Sequence, residues 1–178
     1  MIKIREMNRF ELGRIAEIDR SEHITTGYTY EGGKLRAACV DWCVPRWPME
    51  GDDFSVRAHI EAIAPILEDG GVLLGAFDEQ DHLVGFAVLR YQLAERMAQL
   101  DALFVSRAYR RQGIATQLTS RVARLAKADG AIQLYVSATP SESAVGFYLS
   151  QGFRLAEEVN QELYALEPED IHMVRRLT

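Results

Sequence analysis

The chain has 178 residues, of which 48% are hydrophobic and 26% charged, and its formal net charge is −6. That length suits one domain with a sizeable core and leaves two small domains strained. An acidic surface argues against nucleic acid as a partner, because neutralising phosphates needs a basic face, yet it is compatible with a cationic substrate.

The opening Ile2-Lys3-Ile4-Arg5 alternates apolar and polar residues as a half-buried strand does. Asn8 with Glu11 forms a capping-box pattern, and Leu12, Ile15 and Ala16 make the stripe of a helix stapled by Met7 against Leu12. Residues 21–50 carry Tyr28, Tyr30, Trp42 and Trp47 among glycines and prolines, and no regular structure is predicted there. Val56, Ile60, Ile63 and Leu67 predict a helix that Pro65 should kink or end. Val72–Phe77 and Leu83–Tyr91 predict a hairpin about a DEQDH turn, and Gln99–Val105 a further strand. Ile114, Leu118, Val122 and Leu125 mark a helix ending at Asp129-Gly130. A strand over 132–136, a helix over 141–150, a strand starting at Phe153 and a last strand over 172–177 complete a β-α-α-β-β-β-α-β-α-β-β order in one sheet layer.

No apolar run reaches a membrane span, and the charges scattered through MIKIREMNRFELGRI leave no signal-peptide core, so the expected location is cytoplasmic with no membrane partner. Cys39 and Cys43 stand four apart, with no second ligand pair at a convincing spacing. Two reduced thiols and no metal are therefore expected.

The stretch LDALFVSRAYRRQGIATQL holds the most chemistry. A strand ends at Val105, a basic turn follows, and a helix starts near Gly113. This arrangement aims the unpaired first-turn amides of a helix at an anion, with Gly113 and Ala115 small enough for a phosphate to approach. It is neither a Walker A loop nor a three-glycine dinucleotide turn. An ordinary solvated loop with charges at a helix end would look similar if this stretch stood alone.

Arg110-x-x-Gly113-x-Ala115 resembles the acetyl-CoA signature of the GCN5-related N-acetyltransferase (GNAT) superfamily. A second stretch, SATPSESAVGFYLSQGFRL, resembles that family's later motif through Ala144, Phe147, Tyr148, Gly152 and Phe153, with Ser141 where the family has Asn. The resemblance covers residues 101–153. It implies an α/β single-domain fold over 1–178, with a mixed, mostly antiparallel sheet flanked by helices. Within it, 1–98 would be the acceptor-side half, 99–156 the acetyl-CoA core and 157–178 C-terminal strands. It further implies that Arg110, Arg111, Gln112, Gly113, Ala115 and Thr116 hold the pyrophosphate. Leu103, Val105 and Ser141 would hold the pantetheine arm, and Tyr148 would protonate the leaving thiolate.

An alkylamine is almost wholly protonated at neutral pH, so its attack needs a base. Strand alternation places Asp101 on the face of Leu103 and Val105. Asp101 is thus the first candidate, with Glu22 and His23 in reserve and a plain solvated strand residue as the alternative. Tyr28, Tyr30, Trp42 and Trp47, with Glu22, Glu31 or Asp41 and the 92–98 segment, are candidates to shape the acceptor pocket, or else form a minor cluster under a loop. The expected activity is acetyl transfer from acetyl-CoA to a small-molecule amine, possible in a monomer or homodimer. A protein or peptide acetyltransferase and a non-catalytic acyl-CoA-binding module remain alternatives.

Overall fold

The computed structural model describes residues 1–51 and 54–178. Its main sheet has seven strands: β1 (Lys3–Met7), β4 (Val72–Phe77), β5 (Leu83–Ala94), β6 (Met97–Val105), β7 (Gln133–Ala138), β9 (Ile171–Arg176) and β8 (Arg154–Leu155), adjacent in that order. All neighbours pair antiparallel except β6 and β7. The expected mixed, mostly antiparallel α/β fold is present.

Helices cover both faces. On one, α2 (Ile114–Ala128) and α3 (Glu142–Ser150) bury Leu118, Val122, Val145 and Tyr148 against Leu74, Ala87, Leu100 and Val136. Each fully buried Leu or Val there contributes roughly 1.5–3 kcal/mol. On the other, a 3-10 helix (Arg9–Glu17) and α1 (Val56–Glu68) press Leu12, Ile15 and Ile63 onto Leu73, Phe86 and Val88. The capping box forms as expected, with Phe10 N donating to Asn8 Oδ1 at 2.9 Å and Asn8 N to Glu11 Oε2 at 3.0 Å. Pro65 sits inside α1, which ends three residues later at Glu68.

Three elements depart from expectation. Residues 22–44 form a long hairpin, β2 (Glu22–Glu31) with β3 (Lys34–Val44), which makes a second, two-stranded sheet. Its turn is Gly32-Gly33, both at positive φ as a tight hairpin turn requires. The hairpin docks on the start of α3, with Tyr28 N donating to Pro140 O at 2.9 Å. The strand expected from Phe153 shrinks to two residues, and the 157–178 region holds a short helix, α4 (Gln161–Leu166), as well as β9. No helix among the described residues is long and apolar enough to cross a membrane.

Candidate active site

The basic turn has the geometry an anion needs. Arg111 (φ 62) and Gly113 (φ 78) both adopt left-handed backbone. Gly113 is the N-cap of α2 and supplies no side-chain hydrogen bond to the first-turn amides. A Cβ built on Gly113 would meet nothing within 4 Å, so the turn is open to solvent on that side. Arg111, Gln112 and Thr116 are exposed around it, and Ala115 is half-buried.

Arg110 departs from its expected place. Its guanidinium turns inward, donating to Val105 O at 3.2 Å and Arg20 O at 2.9 Å and pairing with Glu22 at 3.4 Å. The side chain ties the loop to the end of β6 and the start of β2, and its backbone N–H donates to Arg107 O at 3.4 Å. Gln112 also folds back, its Nε2 donating to Ala108 O at 3.2 Å.

Two irregularities in β6 shape the centre of the candidate site. First, β6 and β7 pair only at Met97↔Gln133, Ala98↔Leu134 and Gln99↔Tyr135. Beyond Gln99 the two strands part, which frees the β7-facing edge of Leu103 and Val105. Secondly, the register with β5 slips between Val88↔Ala102 and Leu89↔Leu100, which makes Asp101 a bulge residue. The slip overturns the alternation argument. Leu100, Leu103 and Val105 pack on the α2 face and Ala102 and Phe104 on the other. Asp101 Oδ1 accepts a 3.2 Å hydrogen bond from Gln99 Nε2, and Gln99 lies between two residues of the α2 face. The carboxylate therefore lies on the face opposite the side chains of Leu103 and Val105.

Burial raises Asp101 to about 6, helped by the like charge of Glu167 and opposed by Arg90. Asp170 is likewise raised to about 6, by burial and then Glu167, and it receives a 3.2 Å hydrogen bond from Ser137 Oγ. Tyr148 is buried between Phe147 and Phe153. Its burial, with the nearby Asp170 charge, raises its pKa and keeps it protonated. The charge of Glu167 thus acts on both Asp101 and Asp170, and that of Asp170 on Tyr148. Asp101 and Tyr148 were expected from sequence, whereas Gln99, Glu167 and Asp170 were not. Buried Gln99 has an Oε1 with no hydrogen-bond partner among the described residues. The acidic EPED run before β9 was the available signal for Glu167 and Asp170.

The Ser141 side chain is buried and already engaged. It caps α3, its Oγ accepting from Ala144 N at 3.2 Å beside Ser143 Oγ at 3.1 Å. Ser141→Ala should accordingly cost about 1 kcal/mol of stability, as lost N-caps do, and leave the KM for acetyl-CoA nearly unchanged. Thermal unfolding and steady-state kinetics on that variant check both.

The acceptor-side candidates do not converge. Trp47 is core, 4.7 Å from the Phe104 ring and 4.5 Å from His59. Trp42 and Tyr30 are exposed, and Tyr28 packs against the α2-side core. Glu22 pairs with Arg110, Glu31 with Arg36 and Asp41 with His23. Tyr91, Gln92, Ala94, Glu95 and Arg96 line a cleft with Asp129–Ala131 at the C-terminal end of α2, the end remote from Gly113.

A mixed, mostly antiparallel seven-stranded sheet between helical layers is the fold that acetyltransferases of known structure share. Residues 36–153 match the acetyltransferase (GNAT) family, and the chain belongs to that family. No curated protein sequence matches the chain. Among solved structures, nourseothricin acetyltransferase superposes with a TM-score of 0.74 at 20% identity, over 99% of both chains. A Bacillus anthracis protein classed as a streptothricin acetyltransferase, solved with acetyl coenzyme A, gives 0.73 at 16% identity over 100% of this chain and 99% of that one. PaiA N-acetyltransferase from Thermoplasma acidophilum, solved with coenzyme A, gives 0.64 at 17% over 99% of both.

Proposed function

We propose that the protein transfers the acetyl group of acetyl-CoA to a primary amine on a small cationic molecule. The observation that carries this reading is the pairing of an open, uncapped start of α2 with a buried carboxylate at the bulge of β6. The antibiotic acetyltransferases of similar fold favour a small acceptor. The acidic group of Asp101, Glu167 and Asp170 suits a cationic one.

Acetyl-CoA would supply the acyl thioester, so that a C–N bond to the acceptor replaces the C–S bond and CoA leaves as the thiol. The amides from Arg111 to Thr116 would bind the pyrophosphate, with the helix dipole and Arg107 and Arg111 adding charge. The freed edge of β6 at Leu103 and Val105 would align the pantetheine arm and polarise the carbonyl. Asp101 would take the amine proton. With its pKa near 6 it is ionised at neutral pH yet basic enough to share a proton with the acceptor. Tyr148, kept protonated by burial, would supply a proton at the sulfur. Much of the rate gain would come from holding two reactants together, an effect worth several kcal/mol.

The test is thiol release from acetyl-CoA across a panel of small amines, aminoglycoside-like polyamines and peptides. Turnover with small polycations is expected. Turnover with peptides alone would make this a protein-modifying enzyme, and acetyl-CoA binding with no turnover would make it a binding module. In the same assay Tyr148→Phe should lower kcat by about 10- to 1,000-fold with little change in the KM for acetyl-CoA. Full activity would return Tyr148 to a purely packing role.

A further inference from the structure

The β2–β3 hairpin brings together three side chains that the acetyl-transfer chemistry does not use. His23 and Cys43 are cross-strand partners, and Asp41 lies two residues before Cys43 on β3. One ligand atom from each can be chosen so that all three lie within 4.8 Å of one another. His23 Nε2 is already 2.6 Å from Asp41 Oδ1.

Sequence spacing hid this arrangement. Along the chain Cys39 and Cys43 look like the pair, and no second pair answers them. The hairpin register slips between Ile24 and Thr26, so Cys39 pairs with Thr26 beyond the bulge while Cys43 pairs with His23. The cluster is thus one thiol, one imidazole and one carboxylate.

We infer that His23, Asp41 and Cys43 form a binding site for a borderline divalent transition metal of the zinc class. The donor set is a mixed N, O and S one, which zinc accepts in tetrahedral geometry and magnesium or calcium does not favour. Donors about 2.0–2.3 Å from a zinc ion stand roughly 3–4 Å apart, so exposed side chains need only small rotamer changes to close on it. The strands fix the Cα positions, and all three side chains are exposed, so metal enters directly from solvent and water takes the fourth position. Binding releases the Cys43 thiol proton to solvent. The ion would clamp the open end of the hairpin, where Glu22, next to His23, pairs with Arg110 of the basic turn.

The experiment titrates cobalt(II), and separately zinc(II), into the reduced, tag-free full-length protein. The expected result is one cobalt per chain with a thiolate-to-cobalt charge-transfer band, displaced by zinc. Cys43→Ser should abolish the band, and His23→Ala should weaken affinity at least about tenfold, in line with the loss of a metal ligand. Cys39→Ser should match wild type in both. Circular dichroism of each variant without metal confirms that the hairpin is intact. No band in wild type, equal affinity in His23→Ala, or loss of the band in Cys39→Ser would each overturn the site. None of these outcomes bears on acetyl transfer.

Discussion

Gly113→Glu is expected to abolish binding of acetyl-CoA. Gly113 holds φ 78, and an L-residue in that conformation pays roughly 1–2 kcal/mol. The larger effect is electrostatic. A carboxylate placed before the first-turn amides of α2 would face the pyrophosphate at contact distance. Two like charges about 4 Å apart near a protein surface repel by about 4 kcal/mol, roughly a thousandfold in affinity. No neighbour lies within 4 Å of the new Cβ, so the fold itself should tolerate the change. Gly113→Ala separates the two causes, since it carries the strain without the charge and should weaken binding only modestly. Calorimetric titration of all three proteins measures this, and unchanged affinity in the Glu variant would place the pyrophosphate elsewhere.

Asp101→Asn should lower kcat by on the order of 10²-fold near neutrality and recover at high pH. The recovery arises because the neutral fraction of an alkylamine rises tenfold per pH unit below its pKa of about 10.4. Wild-type activity should fall as pH drops below about 6, where Asp101 becomes protonated. Stability should move the opposite way. The folded-state pKa of about 6 lies above the ordinary value of 3.8, so the folded protein binds this proton more tightly than the unfolded one. The ionised carboxylate therefore costs stability as pH rises through that interval. At pH 7 Asp101→Asn should be more heat-stable than wild type while much less active. Kinetics from about pH 6 to 9.5, with thermal unfolding at pH 7, check both halves. A raised KM with normal kcat would make Asp101 a cation-binding group, and unchanged constants would make it an ordinary strand residue.

The parts of the site legible in sequence are those whose chemistry is local. Gly113 announces an uncapped helix start within its own few residues, and the 141–153 stretch places Tyr148 by spacing along a single helix. The orientation of Asp101 was not legible, because a bulge is decided by which residues of β5 it pairs with. The resemblance implies a pantetheine contact at Ser141, and the motif does not show that this oxygen also accepts from the Ala144 amide at the start of α3. Glu167 and Asp170 join the site only because β9 inserts between β7 and β8. The hairpin over 22–44 was within reach, since Gly32-Gly33 between runs rich in Thr and Tyr is a turn signal. The scattered tryptophans and prolines around it obscured that signal. Helix α4 was harder to see, as six residues with one buried side chain show no period.

The three rungs that join β6 to β7 have a mechanical meaning. The sheet divides into two slabs, β1-β4-β5-β6 and β7-β9-β8, which meet along a short seam and share the core beneath α2 and α3. A slender molecule lying in the gap would act as mortar between the slabs, joining them through hydrogen bonds that the chain does not make for itself. The cohesion of the folded domain and the filling of its cleft are then one equilibrium, and whatever fills the cleft makes the domain harder to pull apart.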